Sequence, residues 1–389
     1  MFKKAGFLLN LVMMFTVIIQ FSFFESFYDV TRNVAIGLWL LLLVYNILHF
    51  KGRYNQRMRN YLMLMLFFNL YLIVLTLISG NNYFGSATYQ AINISVMFFL
   101  IGYTSVITTE QFRTLIKCYV FLVTVLSVSI LVSYFGRGID LENQMYTYGS
   151  KNSRGPAILC AIACNYFLWN DHASRRLKWA LAGATGVMTL TLFDIQNRAS
   201  IMALVTIAAL LLIYYVRKSP RLLVVCLAGI GALAAVYILN GKVHAFINWS
   251  LGIGKEGADL NSLSSGRVVL AQETMKVINE NTMMGVGEYY FDNAVMNFLA
   301  NYGAIAFLLF YLPMMWKPVA TIPNIYKDHL RRPFVLVALM SVGVVVVSFF
   351  EALAPFGPGT TYGLFWVLLG YSENKLNSQH EMYFLAEYH

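Results

Sequence analysis

The chain has 389 residues, of which 59% are hydrophobic and 12% charged, and its formal net charge is +10. Long apolar runs recur from one end to the other, which excludes an ordinary soluble domain and predicts an integral membrane protein. The four cysteines lie inside these runs, so neither a disulfide framework nor a cysteine metal site is expected.

Twelve apolar segments are predicted to be transmembrane helices, giving an all-α polytopic membrane protein. The first run lacks a small-residue cleavage pattern before Glu25, so we interpret it as a retained helix. The predicted segments are 5–24, 33–50, 61–79, 89–107, 116–135, 155–170, 179–193, 199–216, 222–240, 295–316, 334–350 and 358–371.

The basic residues are divided unevenly between the two sides that these segments define. The side of the N-terminus has 19 of the 28, including the cluster at 51–59, and the other side has 9 together with 12 acidic residues. Because Lys and Arg mark cytoplasmic loops, both termini are expected in the cytoplasm. The positive charge is therefore interpreted as a topology signal, and no nucleic-acid partner is expected.

Two outward loops are longer than the rest. The first covers 136–154, and the second covers 241–291, between the ninth and tenth predicted helices. In the second loop, apolar residues at spacings of three and four predict an amphipathic helix on the membrane surface or over a cavity, with Ser264 or Ser265 as its N-cap. We interpret 1–389 as a single membrane domain of which this loop is a part.

Outward arginines are the first candidates for a binding site. Arg198 precedes the eighth predicted helix and Arg267 stands at the first turn of the loop helix, where free backbone N–H groups already favour an anion. The pair indicates a diphosphate site, although an arginine reaching lipid headgroups is an alternative for Arg198. In the shorter loop, Arg137, Lys151 and Arg154 could add to the same field, or could simply belong to a solvated face.

A polar stripe runs into the tenth predicted helix. Asn293, Asn297 and Asn301 are four residues apart and should share one helix face, which is costly in lipid. They could bind substrate, or could join helices together. The preceding Asp292 is either a catalytic carboxylate or the N-cap of the helix, and the sequence alone leaves both possibilities open.

Three further outward side chains complete the candidates. Glu351 lies between prolines and glycines at the outer end of the last hairpin, where a carboxylate near lipid indicates function unless it is fully in water. Tyr289 and Tyr290 could stack on sugars, or could belong to an interfacial aromatic belt. No phosphate-binding loop, nucleophile elbow or metal-spaced histidine pair is present, so no metal and no cofactor are expected.

The order of these motifs resembles the O-antigen ligase and polymerase superfamily. The order is NRAS before a helix, SGR before an amphipathic helix, a GVG turn, and an Asn-containing start to the next helix. Ligases of that family show His, then Asn, Ser or Gln, nine residues, Gly, two residues, and Gly, Thr or Tyr. In this chain, Asp292 takes the His position, Asn293 the second and Gly303 the Gly, and Ala306 takes the last position.

The resemblance implies a fold similar to the GT-C glycosyltransferases and a metal-independent, inverting glycosyltransferase in the bacterial inner membrane, with its active site on the periplasmic side. It implies undecaprenyl-diphosphate-linked glycans as substrates, Arg198 and Arg267 as ligands of the diphosphate, and a chain-length regulator as a possible partner. Because the ligase His is missing, the polymerase is favoured over the ligase. A lipid-linked glycan flippase or transporter would also use many helices and a polar interior, and a non-catalytic scaffold in polysaccharide assembly is a third possibility.

Overall fold

The computed structural model describes residues 2–21, 28–50, 54–135, 151–170, 174–251, 267–327, 332–357 and 361–386. Within these ranges the chain is helical, without strands. The helices are α1 Phe2–Ile18, α2 Tyr28–His49, α3 Gln56–Ser79, α4 Ala87–Thr104, α5 Thr109–Phe135, α6 Lys151–Asn170, α7 Arg175–Asp194, α8 Arg198–Lys218, α9 Arg221–Leu239, α10 Gly241–Leu251, α11 Arg267–Glu280, α12 Ala294–Ala306, α13 Leu312–Thr321, α14 Arg332–Ser348 and α15 Gly363–Ala386.

Each of the twelve predicted segments overlaps a helix, and the tenth is covered by α12, a π-helical turn at Phe307–Tyr311 and α13. By length and composition, five described helical stretches could cross a membrane alone: Val30–His49, Met58–Ser79, Thr109–Ser133, Arg198–Lys218 and Ala294–Tyr326. A sixth arises if the bent pair α9 and α10 is counted as one. The chain is thus an all-helical protein of membrane character, and the number of twelve crossings stays a prediction.

The most buried helices are α4, α6, α14 and α15, and they form the centre of the bundle. α4 and α15 approach so closely that a Cβ on Gly102 or Gly370 would meet a backbone carbonyl of the facing helix. Small residues permit this distance, as they do in membrane helix pairs. Large apolar side chains are exposed on the outer helices, for example Leu77 and Leu239, as expected where lipid replaces water.

The long outward loop predicted for 241–291 begins with a helix. Asn240 ends α9, and its side-chain oxygen accepts hydrogen bonds from the backbone N–H groups of Lys242 and Val243, so it caps α10. The two helices meet at an angle of 101°. The predicted loop therefore contains the helix α10 in addition to the expected amphipathic helix, which is α11.

α12 is interrupted at Gly303, which has φ 77° and ψ 176°. The interruption leaves backbone groups that the preceding segment satisfies. Val286 N donates to Ala300 O, Gly287 N donates to Asn301 O, and Ala304 N donates to Thr282 O, at 2.7 to 2.9 Å. Residues 282–291 consequently run along the broken helix. We call residues 282–291 the strap.

Candidate functional site

The N-termini of α6 and α8 lie side by side. Asn197 is the N-cap of α8: its Oδ1 accepts from Ser200 N at 2.8 Å, while its Nδ2 donates to Lys151 O at 2.9 Å. A Cβ on Gly155 would collide with the Asn197 side chain, so the two helix ends are in close contact. This arrangement brings Arg198, the first residue of α8, near Lys151, the first residue of α6.

Arg267 and Asp292 form an ion pair near Lys151. Arg267 is the first residue of α11, and its Nη2 donates to Asp292 Oδ2 at 3.0 Å. Both side chains are partly exposed, so the pair itself contributes little to stability, about 0 to 1 kcal/mol. Asp292 Oδ1 is buried, and no hydrogen bond to it is formed by the described residues.

Glu351 completes a group of five charges. Its side chain is only 5% exposed. The pKa of Glu351 is raised to about 8: burial is the largest cause and Asp292 adds to it, while Arg267 and Lys151 act in the opposite direction. Glu351 therefore lies near Asp292, Arg267 and Lys151, which belong to segments that are distant from it in sequence.

Lys151 has four charged neighbours. Its side chain reaches the surface, but surrounding protein withdraws water from the ammonium and lowers its pKa; Arg198 and Arg267 lower it further, and Glu351 and Asp292 raise it. Lys151, Arg198, Arg267, Asp292 and Glu351 therefore form one charged cluster, which we call the outer cluster. Lys151 was expected only as a possible contributor to the field.

The two tyrosines of the strap have different environments. Tyr289 Oη shares a hydrogen bond of 3.1 Å with Thr274 Oγ1, the one buried residue of α11. Tyr290 is 62% exposed and its phenol faces the carboxylate of Asp292. α11 is thus attached to the strap at Thr274 and to Asp292, which follows the strap, at Arg267. Val268 and Met275 of its predicted apolar face are exposed.

The asparagine stripe holds the site together. Asn301 Oδ1 accepts from Tyr289 N at 3.0 Å and its Nδ2 donates to Tyr289 O at 2.9 Å. Asn297 Oδ1 accepts from Phe291 N at 3.0 Å and its Nδ2 donates to Thr88 Oγ1 at 2.9 Å. Both side chains are fully buried, as the helix-joining interpretation requires.

The N-cap of α12 is Asn293, and the capping interpretation of Asp292 is wrong. Asn293 Oδ1 accepts from Met296 N at 3.0 Å, and its Nδ2 donates to Phe349 O at 3.0 Å. The cap therefore also attaches α12 to the turn that carries Glu351. Substrate contacts of Asn293 and Asn297 stay a prediction.

Two charged residues lie deeper in the bundle. Arg154 is 3% exposed, and its Nε donates to Gln20 O at 3.2 Å. The structure thus places it inside α6, and its contact with substrate stays a prediction. Asp194, which no sequence pattern singled out, is 1% exposed, and neither carboxylate oxygen has a hydrogen-bond partner among the described residues. Its position, three residues before the cap of α8, was the signal that could have drawn attention to it.

The titratable side chains of the site do not form a metal centre. Within the described ranges, no three His, Cys, Asp or Glu side chains lie close enough together to hold a metal ion. Independence from metal stays a prediction, since it concerns the reaction. The three cations of the outer cluster can bind an anion. Its two carboxyl groups can accept or donate a proton.

The fold and the outer cluster define a class: an all-helical membrane protein with a charged site at one end of its bundle. Residues 183–304 match the family model described as O-antigen ligase, and this match confirms the resemblance to the O-antigen ligase and polymerase superfamily. No curated protein matches the chain. The matched range includes Arg198, Arg267, Asp292 and Gly303, whereas Lys151 and Glu351 lie outside it.

Proposed function

We propose that the chain is an inverting, metal-independent glycosyltransferase of the polymerase type. It transfers a growing glycan from undecaprenyl diphosphate to a new lipid-linked repeat unit, on the periplasmic side of the bacterial inner membrane. The observation that carries the proposal is the convergence of Lys151, Arg198 and Arg267 with two carboxyl groups. The family match supports glycan transfer in general and is equally consistent with a ligase.

The three cations suit a diphosphate leaving group. Negative charge grows on the bridging oxygen as the bond between the anomeric carbon and the diphosphate breaks, and fixed positive groups stabilise this charge. Arg198 begins α8, where free backbone N–H groups favour an anion, and Arg267 lies in the first described turn of α11. The lipid diphosphate then departs as a product that the cations still bind.

The two carboxyl groups suit activation of the acceptor. The acceptor hydroxyl attacks the anomeric carbon from the face opposite the diphosphate, and its proton passes to a carboxylate. Asp292 is our first choice for this base because it lies at the partly exposed surface beside Tyr290. Glu351 is the second, since its pKa of about 8 makes it an acid below that pH and a base above it.

The polymerase is preferred to the ligase because of Asp292. A ligase of the resembled type would have a His at that position. A ligase would transfer the glycan to the lipid A core, and the two activities therefore differ in the acceptor used. A flippase or transporter is disfavoured because the outer cluster is confined to one end of α6, α8 and α11, where a transport path would need polar groups across the membrane.

The experiment uses the purified full-length protein with lipid-diphosphate-linked repeat units and follows chain length on gels. Arg198→Ala and Arg267→Ala should each reduce transfer by roughly 100-fold or more, and Arg→Lys should restore little, because a point charge replaces a bidentate fork. Arg221→Ala is the matched control, since Arg221 also begins a helix but at the other end of the bundle. Normal chains from both site variants would refute the assignment, and transfer to lipid A core alone would identify a ligase.

A further inference from the structure

A second candidate site lies at the opposite end of α6 and α8 from the outer cluster. A cavity of about 600 Å³ opens between α6, α7 and α8, with Leu339 of α14 at its inner wall. This volume is within the range of small-molecule sites, roughly 300 to 1,000 Å³. Its wall is mainly apolar, with Leu159, Ile162, Leu204 and Leu211 among the lining residues.

The cavity is framed by polar bridges between the three helices. Asn165 Nδ2 donates from α6 to Leu181 O and Thr185 Oγ1 of α7, both at 2.8 Å. Tyr166 Oη and Tyr215 Oη share a hydrogen bond of 2.7 Å between α6 and α8. All five residues line the cavity, so these bonds hold its walls in place without any ligand.

The depth of the cavity corresponds to one membrane leaflet. Along α6 it extends from Asn170, the last helical residue, to Leu159. Eleven residues rise about 16 Å in an α-helix, which is roughly half of the 30 Å hydrocarbon core. An acyl chain that starts at the headgroup level would therefore end near the inner wall of the cavity.

The mouth of the cavity is positively charged. Trp169 lines it, and Lys178 Nζ lies 5.8 Å from the centre of the Trp169 ring. Arg175 and Arg176 are exposed in the first turn of α7, whose N-cap is Ser174. Four features thus favour a phosphate at this point: three cations and a helix N-terminus.

We propose that this cavity binds one anionic phospholipid, with an acyl chain between α6, α7 and α8 and its phosphate at Lys178 and the N-terminus of α7. Basic pockets between membrane helices on the cytoplasmic side are suited to such headgroups, and the topology predicted for the chain puts this mouth in the cytoplasmic leaflet. The lipid fills the gap between α7 and α8 and so supports the helix that carries Arg198. The proposal does not depend on the transfer reaction.

The test measures lipid retained by the purified full-length protein after exchange in micelles containing equal phosphatidylglycerol and phosphatidylethanolamine, using native mass spectrometry. The wild-type protein should retain about one phosphatidylglycerol. Ala182→Phe and Ala208→Phe, which place a ring into the cavity from exposed positions, should reduce retention at least fivefold. Ala234→Phe, on the exposed face of α9 outside the cavity, should retain the lipid as the wild type does.

A charge variant distinguishes recognition of the lipid headgroup from simple filling of the cavity by an acyl chain. Lys178→Gln should remove the preference for phosphatidylglycerol over phosphatidylethanolamine, and Arg59→Gln on α3 should leave it unchanged. Equal retention of both lipids by the wild type, or full retention by both Phe variants, would overturn the proposal. If undecaprenyl diphosphate occupies the cavity when that lipid is added, the cavity is a binding site for the substrate instead. Since retention is measured without turnover, loss of lipid and loss of transfer are separate results.

Discussion

At the scale of single residues, the outer cluster depends on charges whose environments differ. Arg267 and Asp292 are paired at a half-exposed surface, while Glu351 is buried beside them. Removing a charge at the surface costs the fold little, so its effect should appear in activity. Removing the buried carboxyl group should affect both stability and activity, and pH separates the two effects.

Substitutions of Asp292 distinguish a base from a partner of Arg267. Asp292→Asn keeps a hydrogen-bond acceptor for Arg267 but cannot accept a proton, so transfer should fall about 100-fold or more with unchanged membrane abundance. Asp292→His restores the ligase-type residue and should be partly active. The measurement is chain extension on lipid-linked repeats. Full activity of the Asn variant would mean that Asp292 only orders Arg267, and Glu351 would become the leading base.

Glu351 should make stability depend on pH. Its pKa of about 8 lies above the ordinary value of 4.5, so the unfolded chain ionises this group first as pH rises. Its stabilising contribution is therefore full below about pH 4.5 and is lost as pH rises towards 8. Glu351→Gln should raise the thermal unfolding temperature in detergent more at pH 7.5 than at pH 5. A difference that is equal at both pH values would contradict the burial of an ionisable group here.

At the scale of elements, the site depends on the joint between the strap and the broken helix. Gly303 has a positive φ, and a Cβ there would meet the Met283 carbonyl oxygen. A Cβ on Gly285 would likewise collide with the backbone of Asn301. Each of the two glycines is therefore needed for the close approach of the strap and α12. Between them, Asn297 and Asn301 bind the strap by their amide groups, and Asp292 follows directly from its end.

Gly303→Ala should disturb this joint. The backbone conformation alone costs an alanine about 1 to 3 kcal/mol, and the strap must move to relieve the collision. We expect a lower unfolding temperature together with a loss of transfer comparable to that of Arg267→Ala. Gly183→Ala is the control, because a Cβ on Gly183 of α7 has open space around it and should be neutral or slightly stabilising. Unchanged activity in Gly303→Ala would show that the strap does not position Asp292.

The sequence predicts the elements better than the joints between them. Long apolar runs determine where a helix must lie, and each predicted segment overlaps one. The helix N-terminus at Arg198 is also confirmed, since capping patterns are local. The cap predicted at Ser264 or Ser265 lies outside the described residues, and it stays a prediction. The meeting of Lys151 with Glu351 depends on the packing of α6 against α14, which no local pattern records. The capping alternative for Asp292 was wrong by one residue, because Asp and Asn cap equally well.

At the scale of the whole molecule, the uneven distribution of basic residues predicts the orientation. In a variant without the native cysteines, single cysteines at Arg59 and Lys327 should react with a membrane-impermeant maleimide only after the cells are opened. A cysteine at Lys276 in α11 should react in intact spheroplasts. All three positions are exposed. Labelling of position 276 solely from the cytoplasmic side would place the outer cluster on the wrong face for a periplasmic transferase.

The joint between the strap and α12 also limits how this gene can change in length. The strap is matched to the helix by backbone and amide bonds from Thr282 to Phe291 on one side and from Asn297 to Ala304 on the other. A residue inserted in α12 between Asn293 and Gly303 would displace every later partner by about 1.5 Å along the helix axis and turn it by about 100° away from the strap. The fixed interval from Asn293 to Gly303 is therefore a requirement of register, and deletions or insertions should be far rarer there than amino-acid replacements.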